Sequence, residues 1–119
     1  YSSYGSIEID PPDFKPGWMT VRACDDLALY YASLMQKKIN LPARGPHITI
    51  TAGHHELYLV DAVKAAPYQN CIVNFSYSNI VWTNGRAFWM DCWSDDLDQI
   101  REELELGPRK YHLTIGNVK

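Results

Sequence analysis

Apolar and polar positions change period several times along the 119 residues, and turn-forming residues mark most of the changes. Tyr4 to Ile9 alternates and predicts a short strand, stopped by Asp10-Pro11-Pro12. Phe14 to Gly17 reads as loop, and Trp18 to Arg22 as a second short strand. From Asp25 the period becomes helical: Leu27, Tyr30, Tyr31, Leu34 and Met35 fall on one face. Asp25 and Asp26 in the first turn and Lys37 and Lys38 in the last suit the helix dipole. Asn40 to Pro46 is a loop, His47 to Thr51 alternates as a strand, and His55 to Ala66 predicts a helix ended by Pro67.

The second half begins with two strand-like runs, Cys71 to Thr83 and Arg86 to Trp93, joined by Asn84-Gly85. That dipeptide predicts a two-residue hairpin turn in which Thr83 faces Arg86 and Trp82 faces Ala87. Val73, Phe75, Tyr77, Val81, Phe88, Met90 and Cys92 would then line the core side. Asn74, Ser76, Ser78, Trp82, Trp89, Asp91 and Trp93 would line the other. Ser94 is an N-cap for a helix carrying Leu97, Ile100 and Leu104, which Gly107-Pro108 ends. Tyr111 to Val118 is the last strand. Helices alternating with hairpin-connected strands predict an α+β protein with antiparallel sheets. Residues 25–51 and 95–115 repeat one order: helix, loop, then a strand that begins at or beside a histidine.

Composition narrows the class. Apolar residues make up 46% and charged residues 21%, the balance of a globular domain. No apolar run reaches the ~18–20 residues that span a bilayer, so no membrane partner is expected. The segment Tyr1 to Ser6 lacks the layout of a secretory signal. Three widely spaced cysteines (Cys24, Cys71, Cys92) suit a reducing, cytoplasmic setting better than a disulfide framework. A net charge of −3 argues against long duplex DNA as a partner and favours a short nucleic acid, if any.

The chemistry concentrates in two tetrapeptides, His47-Ile48-Thr49-Ile50 and His112-Leu113-Thr114-Ile115. Strand geometry puts each histidine and threonine on one face and the branched aliphatics on the other. Two imidazoles supply a base and an acid near neutrality, and two hydroxyls can stabilise charge on a phosphate. This set suits cleavage of a phosphodiester beside a free 2′-hydroxyl, with no metal or other cofactor. Either histidine can be the base. Trp82 and Trp89 offer a platform for stacked bases. Arg44, Arg109 and Lys110 flank the motifs as phosphate-binding cations, and Tyr4 and Tyr111 are further cleft candidates. A zinc site at His47, His54, His55 and Glu56 lacks the H-E-x-x-H spacing, and nothing marks a cysteine as an activated nucleophile.

Paired H-x-T motifs, one in each half of a small α+β chain, resemble the two-histidine (2H) phosphoesterase superfamily. The resemblance implies a two-lobed, pseudo-symmetric fold with antiparallel sheets flanking a central cleft, in one domain with lobes near 1–66 and 67–119. It implies His47, Thr49, His112 and Thr114 as the catalytic set. Size and acidity look most like viral and phage members that degrade cyclic oligonucleotide immune signals (the anti-CBASS type), which would place the protein in a host cytoplasm. Relatives that act on RNA ends, on 2′,3′-cyclic phosphates or on 2′-5′ linkages are the alternative. A module that sequesters nucleotides without cutting them is another. Oligomeric state is not legible from these residues.

Overall fold

The computed structural model describes residues 1–9, 19–35, 39–42, 45–51 and 65–118. Among the described residues, eight strands and two α-helices follow one another: β1 (Ser2–Ile9), β2 (Met19–Arg22), α1 (Asp25–Met35), β3 (Ile39–Asn40), β4 (His47–Thr49), β5 (Ile72–Tyr77), β6 (Trp82–Thr83), β7 (Ala87–Trp93), α2 (Asp95–Glu103) and β8 (Tyr111–Val118). The helix expected over His55 to Ala66 falls almost wholly outside the described residues; its last residue opens a short 3₁₀ turn, Ala66–Tyr68.

Six strands close on themselves in the order β8-β4-β2-β1-β5-β7, with β7 pairing back to β8. Every one of these pairings is antiparallel. The short β3 extends the pairing of β8, and β6 extends that of β7. The molecule is therefore mainly β, and the expected two-lobed α+β fold with a central cleft is corrected. Strands from the two halves interleave at two seams, β1 with β5 and β4 with β8. One barrel results, with no cleft between two sheets.

The interior is filled. Ile7, Val21, Ile48, Met90, Leu113 and Ile115 are wholly buried, with Val73, Phe75, Phe88 and Cys92 nearly so. Barrels of about eight strands are just wide enough for side chains to fill, so a six-stranded one has no room for a ligand. Function on this scaffold has to sit on the outer wall or at the ends.

The hairpin departs from the expected register in an informative way. Ser76 faces Trp93 and Tyr77 faces Cys92, the pairing a two-residue turn dictates. Four residues, Ser78 to Val81, then span the stretch opposite Met90 and Asp91, so that Trp82 faces Trp89 and Thr83 faces Phe88. The irregularity adds two residues and keeps the parity, so the core and outer faces stay as the alternation predicts. The turn becomes a four-residue loop. Asn84 Oδ1 accepts hydrogen bonds from the Arg86 and Ala87 amides, and Gly85 takes φ +87°.

α1 also differs. Among its described side chains Ala28 and Tyr31 are buried and Leu27 is partly covered, whereas Leu29, Tyr30 and Leu34 are exposed. The small Ala28 sits where the helix meets the core, and Tyr31 turns its ring edge-on to Tyr77 at 6.1 Å. α2 follows expectation. Ser94 Oγ accepts from the Leu97 amide and donates to the Asn74 carbonyl, while Leu97, Ile100 and Leu104 are buried.

Arg101 of α2 is only 4% exposed. Its Nε donates to the Gly107 carbonyl and its Nη1 to the Ile50 carbonyl, at 2.8 and 2.7 Å. The side chain thus ties α2 to the residue that follows β4. Replacing it by methionine keeps the aliphatic stem but removes the donors to the buried Ile50 carbonyl and the partly exposed Gly107 carbonyl, at about 1–3 kcal/mol for the buried acceptor left unsatisfied and less for the other. Urea unfolding of Arg101→Met should therefore show a loss of about 2–4 kcal/mol with an unchanged slope. A loss under ~0.5 kcal/mol would contradict this role.

Candidate active site on the barrel wall

The two H-x-T motifs occupy neighbouring strands. β4 and β8 run antiparallel, with His47 directly opposite Thr114 and Ile48 opposite Leu113. The same count continued by one residue brings Thr49 level with His112. Ile48, Ile50, Leu113 and Ile115 are all fully buried. Because the side-chain period is two, the histidines and threonines must face outward together. His112 is about half exposed, and His47, Thr49 and Thr114 are half-buried. Diagonal neighbours on an antiparallel pair lie roughly 7–8 Å apart, a span that one phosphate group can bridge. The expectation that the motifs face each other across a central cleft is corrected: they lie instead on adjacent strands of one outer wall.

The two histidines have different surroundings. His47 Nδ1 lies 3.0 Å from the Gly45 carbonyl oxygen, which can only accept. In the neutral ring Nδ1 is therefore the protonated nitrogen, and Nε2 carries the lone pair. His112 Nε2 faces the Asp91 carboxylate at 3.6 Å, and its ring lies 5.7 Å from that of Trp89, tilted by 33°. β7 supplies both neighbours, since Asp91 is paired with His112 and Trp89 with Thr114. A protonated His112 thus has its charge matched.

One row of side chains crosses the wall perpendicular to the strands. Trp82 faces Trp89, Trp89 faces Thr114, Thr114 faces His47, and His47 faces Arg22. Adjacent strands are ~4.8 Å apart, so the row from Trp82 to Arg22 covers about 19 Å. Trp82 is 50% exposed, whereas Trp89 is partly covered and engaged with His112. Of the two tryptophans expected to stack bases, Trp82 is the open one.

The remaining candidates are dispersed. Tyr4 is exposed on β1, where it helps Arg22 and Cys24 line a depression of about 300 Å³. Tyr111 is buried, and its hydroxyl donates to Asp98 Oδ1 at 2.7 Å. Burial, reinforced by that hydrogen bond, pushes its ionisation far above the ordinary tyrosine range, so it acts as a structural residue. Lys110 is exposed at the start of β8 and shares a separate depression with Arg109 and Trp93. Arg44, and the zinc alternative at His54, His55 and Glu56, lie outside the described residues.

Arg22, Gly45 and Asp91 had no assigned role before the structure placed them. Arg22 ends a short strand and Asp91 lies on the polar face of β7, which the alternation shows. Only the long-range register brings them beside the histidines. Gly45 has φ +76°, and a side chain there would collide with the Arg22 guanidinium.

Searches of protein-family models, of curated proteins and of solved structures found no match to this chain.

The cysteines are not disulfide-bonded, and Cys24 and Cys71 are exposed. Burial pushes the Cys92 thiol up to about 12, with the Asp91 charge adding to the effect. Cys92 therefore stays protonated near neutrality and cannot serve as a nucleophile. Mass spectrometry after iodoacetamide treatment at pH 8 should find Cys24 and Cys71 alkylated and Cys92 untouched until the protein is unfolded. Rapid modification of native Cys92 would contradict its placement.

Proposed function

We propose that this protein is a metal-independent phosphodiesterase that cleaves short oligonucleotides bearing a 2′-hydroxyl beside the scissile bond. The observation that carries the reading is the pairing of His47 with Thr114, which sets two imidazoles and two hydroxyls side by side on one surface. This is the chemistry for which the paired motifs of 2H phosphoesterases are arranged, here on a closed barrel. The preferred substrates are small or cyclic oligonucleotides such as immune second messengers. Free thiols at Cys24, Cys71 and Cys92 suit the reducing cytoplasm where such molecules occur. Among the described residues no helix is long and apolar enough to cross a membrane.

The asymmetry of the histidines assigns their roles. His47, with its Nδ1 proton committed to Gly45, accepts the 2′-hydroxyl proton at Nε2. The 2′-oxygen attacks phosphorus while the bond from phosphorus to the 5′-oxygen breaks. His112, which faces Asp91 through Nε2, gives the proton on Nδ1 to the departing 5′-oxygen when it enters the reaction in its protonated form. A 2′,3′-cyclic phosphate remains. Thr49 and Thr114 donate hydrogen bonds to the non-bridging oxygens as their charge grows.

A change of leaving group tests this division of labour. A p-nitrophenyl nucleoside 3′-phosphodiester releases p-nitrophenolate, which departs without a proton and needs no acid. His112→Ala should lose about 10²–10⁴-fold on a dinucleotide, the usual contribution of one proton transfer, yet keep most of its rate on the aryl ester. His47→Ala should lose a comparable factor on both, and wild-type turnover should persist in EDTA. Full activity of either alanine variant on the dinucleotide would overturn the assignment. Wild-type protein that binds every oligonucleotide offered and returns it intact would make the molecule a sequestering module.

A further inference from the structure

The row of side chains across the wall has a direction, and its far end carries a cation that the proposed reaction does not use. Arg22 lies directly across the β2–β4 ladder from His47. Its guanidinium packs over Gly45, where the missing side chain leaves the space it occupies. Nη2 is held by Asp25 at 3.2 Å, an i,i+3 pair that fixes the guanidinium beside the wall. The side chain is 38% exposed, while its Nε is buried and has no hydrogen-bond partner among the described residues. It reaches from the β2 side of His47, away from His112. Trp82 occupies the opposite end of the row, beyond His112 and Trp89.

We propose that Arg22 forms a subsite for the 5′-phosphate of the nucleotide whose 2′-hydroxyl His47 activates. This rests on the phosphodiesterase reading and deepens it by naming the substrate's polarity and its second charged group. The nucleoside that supplies the nucleophile sits at His47, and the departing nucleoside sits toward His112. The upstream phosphate then falls on the Arg22 side, and the downstream base falls on the Trp82 side. Successive phosphates of a nucleic acid strand are ~6–7 Å apart, comparable to the one-to-two-strand offset that separates Arg22 from the motif pair. A planar guanidinium binds such a phosphate through two parallel N–H···O bonds. The enzyme would therefore favour oligonucleotides carrying a 5′-phosphate or an upstream linkage over isolated dinucleoside monophosphates. A small cyclic oligonucleotide, in which every nucleoside has a phosphate on both sides, meets this requirement.

Binding separates this subsite from the chemistry. The 2′-deoxy dinucleotides d(ApA), d(pApA) and d(ApAp) cannot be cleaved by attack of a 2′-oxygen, and calorimetry or tryptophan fluorescence reads their affinity. Wild-type protein should bind d(pApA) at least about tenfold more tightly than d(ApA), at the lower end of what hydrogen bonds to a charged group supply. The 3′-phosphate of d(ApAp) should bring little gain. Arg22→Gln should bind all three at the d(ApA) level. Asp25→Asn, which frees the guanidinium from its carboxylate, should widen the preference for d(pApA) and keeps the test independent of any loss of folding in Arg22→Gln. A preference that survives in Arg22→Gln, an equal gain from the 3′-phosphate, or no preference in the wild type would each overturn the subsite. Turnover of the ribonucleotide pApA is scored separately. An uncleaved pApA with an Arg22-dependent preference for d(pApA) sinks the enzyme reading and leaves the subsite standing, whereas cleavage without that preference does the reverse.

Discussion

The pairing of β4 with β8 is the constraint on which the rest depends. It joins residues more than sixty positions apart in the chain and closes one of the two seams between the halves of the barrel. Four aliphatic side chains, Ile48, Ile50, Leu113 and Ile115, lie in the interior with no exposure. Burying each is worth about 1.5–3 kcal/mol, so their orientation is firmly set. A slip of one residue in either strand would turn these aliphatics to water and the histidines into the core. The energetics of the core thus specify which way the His47 and His112 imidazoles point, although neither contributes to that core.

The same constraint explains why the site is on a wall. A closed six-stranded barrel spends its interior on packing, so chemistry has only the outer face and the ends. On that face the neighbours come from other strands. β7 brings Asp91 and Trp89 to His112, and β2 brings Arg22 to His47, while the loop before β4 brings the Gly45 carbonyl. Two motifs of nearly identical sequence therefore sit in unlike environments. One histidine has a neutral acceptor at Nδ1 and the other a carboxylate at Nε2, an asymmetry that the proposed reaction would use to separate its base from its acid.

Local signals were well displayed in the sequence. The alternation around His47 and His112, the Ser94 cap with Leu97 and Ile100 behind it, and the parity of the β5–β7 hairpin all reflect interactions within a few residues of one another. Closure was not displayed, because it depends on which edges meet, and those pairings join segments from opposite halves. An alternating strand has the same pattern in a barrel as in an open two-lobed sheet. The face of α1 was legible only in part for a related reason: of the apolar stripe, Tyr31 is buried and Leu27 partly so, whereas Tyr30 and Leu34 are exposed and Ala28 takes the inner position. At the candidate site, the common outward face of the four motif residues was legible from spacing. Arg22 and Asp91 were not, since an isolated cation or carboxylate on a polar face acquires meaning only from the strand beside it.

The central claim concerns one register, and backbone nuclear Overhauser contacts in the folded protein measure it directly. The account predicts cross-strand contacts that pair His47 with Thr114 and Ile48 with Leu113, alongside contacts linking Asp91 to His112 on the other edge of β8. Contacts that place β4 and β8 on different neighbours, or that join them one residue out of step, would contradict it.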